Sequence, residues 1–292
     1  AFVDSLPPHC FAIGEQAYRA MKSGQNSQSL IICGESGAGK TETTKLILRY
    51  LSSIAGAGNV EVSTKIMQSN PLMEAFGNAK TLRNNNSSRF GKFISVAFDS
   101  VSGYVIGATI TNYLLEKSRC VSLPSRERNF HIFYQLCAGA TNEQRQEFGV
   151  KNALDFYYLN HSSCLEVEGI DDGKEFADTM LALKTLNFSE QDRNSLLCIV
   201  AGILHLGNIE FDTDSKDQAF VHGNSAISLQ MAARLIGIPG GADALGDALT
   251  SKVIHPPRAD PIKVQLNDEE AMSSRDAFAK GMYHRVFDWL IV

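Results

Sequence analysis

Along the chain the apolar positions change period several times, and each change marks an element. Ser29-Leu30-Ile31-Ile32-Cys33 is a short continuous apolar run of the kind a buried strand uses, and a glycine-rich turn follows it. Beyond that turn Ile47, Leu51 and Ile54 recur at helical spacing and predict a helix over 40–54, closed by Gly56 and Gly58. A second helical pattern covers 62–76 and is expected to break at the turn pair Asn70-Pro71. The period then drops to two. Phe93, Ser95 and Ala97 alternate with Ile94, Val96 and Phe98, the segment Asp99 to Gly103 supplies a turn, and 104–115 reads as the return strand of a hairpin. From Asn129 onward the pattern is helical, over 130–137, 173–185, 190–206, 228–235 and 269–292. Between Gly237 and Asn267, Pro256, Pro257 and Pro261 predict an extended, loop-rich excursion. His131 and His205 fall in apolar helical stretches and are expected as core or helix-face residues without chemistry, and Trp289 is expected in the core.

Composition narrows this picture. Of the 292 residues 44% are apolar and 20% charged, which suits a globular chain with a substantial core. A net charge of -5 supplies no global basic field, so nucleic acid is not an expected partner. No apolar run reaches the roughly 20 residues of a spanning helix, and Ala1 to Pro8 lack a signal-peptide pattern, so direct membrane insertion is not expected and the location reads as cytoplasmic. The six cysteines are scattered without metal-ligand spacing and read as reduced, mostly buried thiols. The chain lacks a starting Met and stops inside the run Trp289-Leu290-Ile291-Val292, which reads as a piece of a longer polypeptide.

The strongest chemical signal follows the first apolar run. Gly34-Glu35-Ser36-Gly37-Ala38-Gly39-Lys40-Thr41 fits G-x-x-x-x-G-K-[ST] between an expected strand and a helix start. Its glycines let consecutive backbone N–H groups converge on phosphate, Lys40 offers a cation to the outer phosphates and Thr41 a hydroxyl to Mg2+. Glu35 and Glu42 flank this cradle, where a carboxylate more commonly serves the helix dipole. A second polar cluster, Asn84-Asn85-Asn86-Ser87-Ser88-Arg89-Phe90-Gly91-Lys92, offers two hydroxyls, an amide and a guanidinium. Its spacing leaves two readings open, a nucleotide contact and a polar loop capping its own backbone. Asp99 ends an apolar strand pattern and could pose as a metal-side carboxylate, but its place at the hairpin turn favours a turn role. No other strand-plus-Asp segment supplies the third catalytic element.

These residues resemble the myosin motor domain. The stretch Gly34 to Lys45 is similar to that family's extended phosphate loop, and Ser69 to Thr81 running into Asn84 to Phe93 is similar to its switch I. Further likenesses are Pro8 to Ile13, Leu114-Leu115-Glu116-Lys117-Ser118-Arg119, Glu127-Arg128-Asn129-Phe130-His131 and Ile203 to Ile209. The resemblance implies an α/β P-loop NTPase motor core with a partial mixed β-sheet over 1–128 and a large helical lobe, carrying the start of an actin-binding region, over 129–292. It implies ATP and Mg2+ as cofactors, with Thr41 and Ser88 as metal-side hydroxyls, Ser87 at the γ-phosphate and attacking water, and Asn84 at the phosphates. Arg89 is expected to pair with a glutamate of switch II, a segment expected beyond Val292, so the piece alone is expected to be inactive. Implied partners are F-actin and, on a neck outside this chain, light chains or calmodulin; the implied location is cytoskeletal. Sixteen residues before Asp276, the family's spacing for an actin-loop charge, stands Asp260. Two alternatives stay open: a catalytically impaired actin tether, and a microtubule motor, whose Ser-Ser-Arg is usually followed by Ser-His rather than the Phe90-Gly91-Lys92 found here.

Overall fold

In the computed structural model the described residues are 7–55, 60–257 and 260–291. Gly56 and Gly58, expected to close the first helix, lie outside them. Helix α1 (Cys10–Gly24) opens at His9, whose ring accepts the Phe11 N–H at 3.1 Å. It packs on α2 (Lys40–Ala55) through the stacked rings of Phe11 and Tyr50, 5.0 Å apart, and a 2.7 Å bond from the Tyr50 hydroxyl to Glu15. The run Ser29 to Cys33 is not a strand. It carries no ladder, and Ile31 is 85% exposed. A strand is held by its neighbour's N–H and C=O groups, and no described strand pairs with this one.

Helix α3 (Val60–Gly77) runs unbroken through Pro71, against the expected break. Proline cannot donate to the carbonyl four residues back, and here the side-chain amide of buried Asn70 donates to that Met67 oxygen at 3.4 Å instead. Directly after α3, β1 (Asn78–Ala79) pairs antiparallel with β2 (Ser87–Ser88), pinning the loop at 80–86 on a two-residue stem. The expected hairpin follows as β3 (Gly91–Phe98) and β4 (Val105–Tyr113), with a bulge at Ala97 and Phe98. Asp99 serves its turn: one carboxylate oxygen accepts from the Val101 and Ser102 amides and the Ser102 hydroxyl, and these bonds hold its carboxyl below the usual range. The inner side of this hairpin, Ile94, Val96, Phe98 and Val105, joins Leu48, Ala55 and Ile66 in a small core.

The larger core belongs to the helices. In α4 (His131–Gly139) every residue from His131 to Cys137 is buried, as a helix enclosed on all sides must be. Around it lie α5 (Asn142–Phe148), α6 (Tyr157–Asn160), α7 (Asp172–Thr185) and α8 (Glu190–Gly207), the last begun by a reciprocal cap between Ser189 and Asp192. A small ribbon, β5 (Phe211–Thr213) with β6 (Ala219–Val221), leads to α9 (Ala226–Ile236). The expected loop-rich excursion is ordered differently. It contains α10 (Gly241–Thr250) and a hairpin of β7 (Ser251–Ile254) with β8 (Ile262–Gln265), because Leu245 and Leu249 bury one helical stripe while the three prolines fall in the connection between the strands. The final helix, α11 (Asp268–Ile291), buries Tyr283 and Phe287.

Three further expectations change. The described strands form four separate two-stranded antiparallel pairs with no parallel pair, so the mixed sheet is not seen among them. Each pair is closed by a local connection, whereas parallel pairing needs a long crossover. Trp289 is 46% exposed, its ring edge-to-face with that of Phe188 at 5.3 Å, while Phe287 of the same turns is buried. Of the six free cysteines only Cys120 and Cys137 are buried, and Cys33 is exposed. Among the described residues no helix is long and apolar enough to cross a membrane.

Candidate nucleotide-binding site

The glycine turn owes its shape to backbone freedom. Gly37 and Gly39 adopt φ of +86° and +84°, a region that side chains disfavour, and the turn delivers the chain directly into α2. A Cβ placed on Gly37 would lie 3.8 Å from the Arg83 carbonyl and 3.9 Å from the Asn84 Cβ, so the turn faces the 80–86 loop. Lys40 Nζ donates to the carbonyls of Gly34 and Glu35 at 2.6 and 2.7 Å, curled over the loop that it closes. Glu42, in the first turn of α2, pairs with Lys45 at 2.8 Å. Ser36 lines a cavity of about 260 Å³ together with Leu82, Arg83, Arg89 and Arg119. Ala38 donates its amide to the Glu35 carbonyl at 3.2 Å, which tightens the turn.

Forty-seven residues after Thr41, and pinned by the stem pairing Asn78↔Ser88, Ser88 brings its hydroxyl to 3.2 Å from that of Thr41. Mg2+ takes six oxygens at 2.0–2.1 Å, which sets neighbouring ligands about 2.9 Å apart. The two hydroxyls therefore fit adjacent positions on such an ion. Ser87 is buried, and its hydroxyl accepts from Arg89 Nη1 at 3.3 Å. Asn84 is spent within its own loop, its carbonyl oxygen accepting the Asn86 N–H at 3.0 Å and its amide donating to the Asn86 carbonyl at 3.3 Å. Among the described residues no three His, Cys, Asp or Glu side chains gather as a metal cluster.

A family model described as "Myosin head (motor domain)" matches residues 2–292. The chain belongs to the myosin motor-domain family. It is 44% identical over 98% of its length to Myosin-1 of Pyricularia oryzae and 45% identical over 98% to Myosin IB heavy chain of Dictyostelium discoideum. To Myosin heavy chain IB of Acanthamoeba castellanii it is 46% identical over 98%. It spans about a quarter of each of these relatives, 23%, 26% and 24% of their lengths.

In this myosin chain Arg89 is already engaged. Its Nε donates to Glu116 Oε2 at 2.6 Å, a carboxylate within this chain besides the switch II glutamate that the resemblance implied. The reason is local: β3 and β4 run side by side, and the Glu116 amide bonds the Arg89 carbonyl at 2.9 Å where they end. Burial alone would raise the Glu116 carboxyl, but the bonds and charges of Arg89 and Arg119 outweigh it and hold it below the usual carboxylate range.

Sequence reasoning missed the residues that hold the 80–86 loop in this myosin chain. Asn86 lies between three partners: its Oδ1 accepts from Asn78 at 2.8 Å and contacts His131 Nε2 at 3.1 Å, and its amide donates to Glu74 at 3.1 Å. Glu127 accepts the Leu82 N–H at 3.2 Å, and the Arg128 N–H bonds the Lys80 carbonyl at 3.0 Å. Glu116, Arg119, Glu127 and His131 all stand in segments that carried the family resemblance, yet no spacing rule joined them to the loop. Lys45 is also drawn in, bridging Glu42 and Glu74 at 2.8 and 2.6 Å.

Proposed function

We propose that this chain is the nucleotide-handling part of an actin-based motor, in which Mg-ATP binding and hydrolysis by a P-loop NTPase core are coupled to movement along F-actin. The observation that carries the reading is the 3.2 Å approach of the Thr41 and Ser88 hydroxyls, from segments far apart in sequence. P-loop enzymes hold a nucleotide-bound magnesium ion through the Ser or Thr hydroxyl of the phosphate loop, and Ser88 would bring a second hydroxyl beside that of Thr41. Bound Mg2+ would supply charge neutralisation at the outer phosphates. Lys40 would exchange its two carbonyl contacts for phosphate oxygens, and the amides of Gly37, Gly39 and Lys40 at the start of α2 would face the same group. Ser87, buried beside Arg89, would meet the γ-phosphate and hold the attacking water, and Asn84 would trade its contacts within the loop for a phosphate oxygen.

The wider protein would work in the cytoplasm on the cytoskeleton, with light chains or calmodulin on a neck outside this chain. The test is nucleotide binding by the whole motor. Lys40→Ala should remove measurable binding of a fluorescent ATP analogue, because two ammonium contacts with phosphate disappear together. Affinity equal to that of the parent would overturn the assignment.

A further inference from the structure

We propose that Arg119 is a positioning residue for the loop between Lys80 and Arg89: through Glu116 and Glu127 it ties both ends of that loop to one buried guanidinium. The inference rests on the nucleotide reading above and deepens it. Arg119 is 3% exposed and sits in a tight turn, Lys117–Cys120. Every branch of its fork is used. Nε donates to Glu116 Oε2 at 2.8 Å, Nη2 to Glu127 Oε2 at 2.8 Å, and Nη1 to the Arg128 carbonyl at 3.1 Å.

Each carboxylate has a second grip, and both grips are on the loop. The Glu116 oxygen that accepts from Arg119 also accepts from Arg89 Nε at 2.6 Å, at the exit of the loop. Glu127 uses its other oxygen for the Leu82 N–H at 3.2 Å, at the entrance. Between these fastenings lie Asn84, Ser87 and Ser88, the side chains assigned to the phosphates and the metal. Two carboxylates and two guanidiniums balance in charge, and a planar fork spreads five N–H donors over three separated nitrogens, whereas the three donors of a lysine ammonium all leave one nitrogen. The cluster also borders the 260 Å³ cavity beside Ser36, so any slack in it reaches the phosphate side directly. Arg119 touches none of the reacting groups; it acts through the two acids.

The experiment uses the whole motor that carries this chain, with Arg119→Lys and Glu127→Gln as variants. It measures melting temperature, basal turnover, and affinity for Mg-ADP and for a non-hydrolysable Mg-triphosphate analogue. The phosphate loop holds both nucleotides, while only the triphosphate meets Ser87, so a loosened loop should cut the preference for triphosphate over diphosphate by about tenfold, with a matching fall in turnover. Arg119→Lys should do this most, and Glu127→Gln, which keeps an acceptor for Leu82, less. A purely structural role would lower the melting temperature and weaken both nucleotides in parallel with the preference intact, and that result would overturn the inference. If Arg119→Lys does not fold, Glu127→Gln decides alone: a preference and turnover equal to the parent's overturn it. A parent motor that binds neither nucleotide would sink the nucleotide reading itself, a different outcome from variants that match a binding parent.

Discussion

At His131 the two ring nitrogens have different fates. Asn86 Oδ1 already accepts from Asn78 and can only accept again, so the Nε2 facing it at 3.1 Å carries the proton, leaving Nδ1 bare and without a hydrogen-bond partner among the described residues. Burial first, and then the Arg128 charge, hold this imidazole down to about 3. An unfolded histidine binds a proton below about 6.5. The native state does not, so folding stability should fall as pH drops below that value, by up to about 1.4 kcal/mol per pH unit. His131→Gln keeps a donor toward Asn86 and removes the titration. Urea midpoints measured from neutral to mildly acidic pH should therefore decline less in the variant; parallel curves would mean that His131 is protonated in the folded protein. The sequence read His131 as a core or helix-face residue and gave it no further part, because its partner Asn86 lies forty-five residues away.

Among the elements, the end of α3 governs where the nucleotide-side loop begins. The Arg89 N–H bonds the Gly77 carbonyl at 2.8 Å, and a Cβ on Gly77 would lie 2.3 Å from the Phe90 ring and 3.1 Å from Phe287. Phe90 cannot yield freely, since its ring is packed edge-on against Phe287 at 5.0 Å. Gly77→Ala should thus cost about 1–3 kcal/mol of stability by overpacking and displace the Ser87–Ser88 strand from Thr41. Chemical denaturation and the Mg2+ dependence of nucleotide binding check the two effects; an unchanged Mg2+ dependence would separate Gly77 from the site. Helix α3 itself was legible from its period. Its passage through Pro71 was not, because the signal for a break is local, while the bond that allows continuity depends on how Asn70 is buried.

Across the whole molecule α11 is the long connection. Its 24 residues span about 36 Å, from the Glu270 pair with Lys252 of β7 at 2.9 Å to contacts beside the nucleotide loop. There the Tyr283 hydroxyl donates to the Phe76 carbonyl at 2.7 Å, and Asn112 donates to Asp288 at 2.9 Å. Asp260 lies exposed in the connection between β7 and β8, which leads into the start of this helix, whereas the contacts with Phe76 and Asn112 are made near its end. As the fixed negative charge of the proposed actin contact it would stand in for one that a kinase would otherwise add. Asp260→Ala in the complete motor should lower actin-activated turnover and leave basal turnover unchanged, because a surface charge remote from the phosphates acts on encounter. Equal actin activation across a range of salt would remove Asp260 from the mechanism.

The amino-acid order by itself determined the glycine turn and its Lys40 and Thr41, the β3–β4 hairpin, the turn role of Asp99 and, after Asn129, helices α4, α7, α8, α9 and α11. All of these rest on periods and turn chemistry that act within a few residues. Tertiary structure alone decided that Ser88 meets Thr41, that Glu116 takes Arg89, and that Arg119 joins Glu116 to Glu127. It likewise decided that Leu245 and Leu249 make a helix in a stretch whose prolines predicted loop. The apolar run from Ser29 to Cys33 marks the same boundary from the other side. Its composition suits a strand, but a strand exists only where a neighbour supplies the other half of each hydrogen bond, and no residue within the run can provide that.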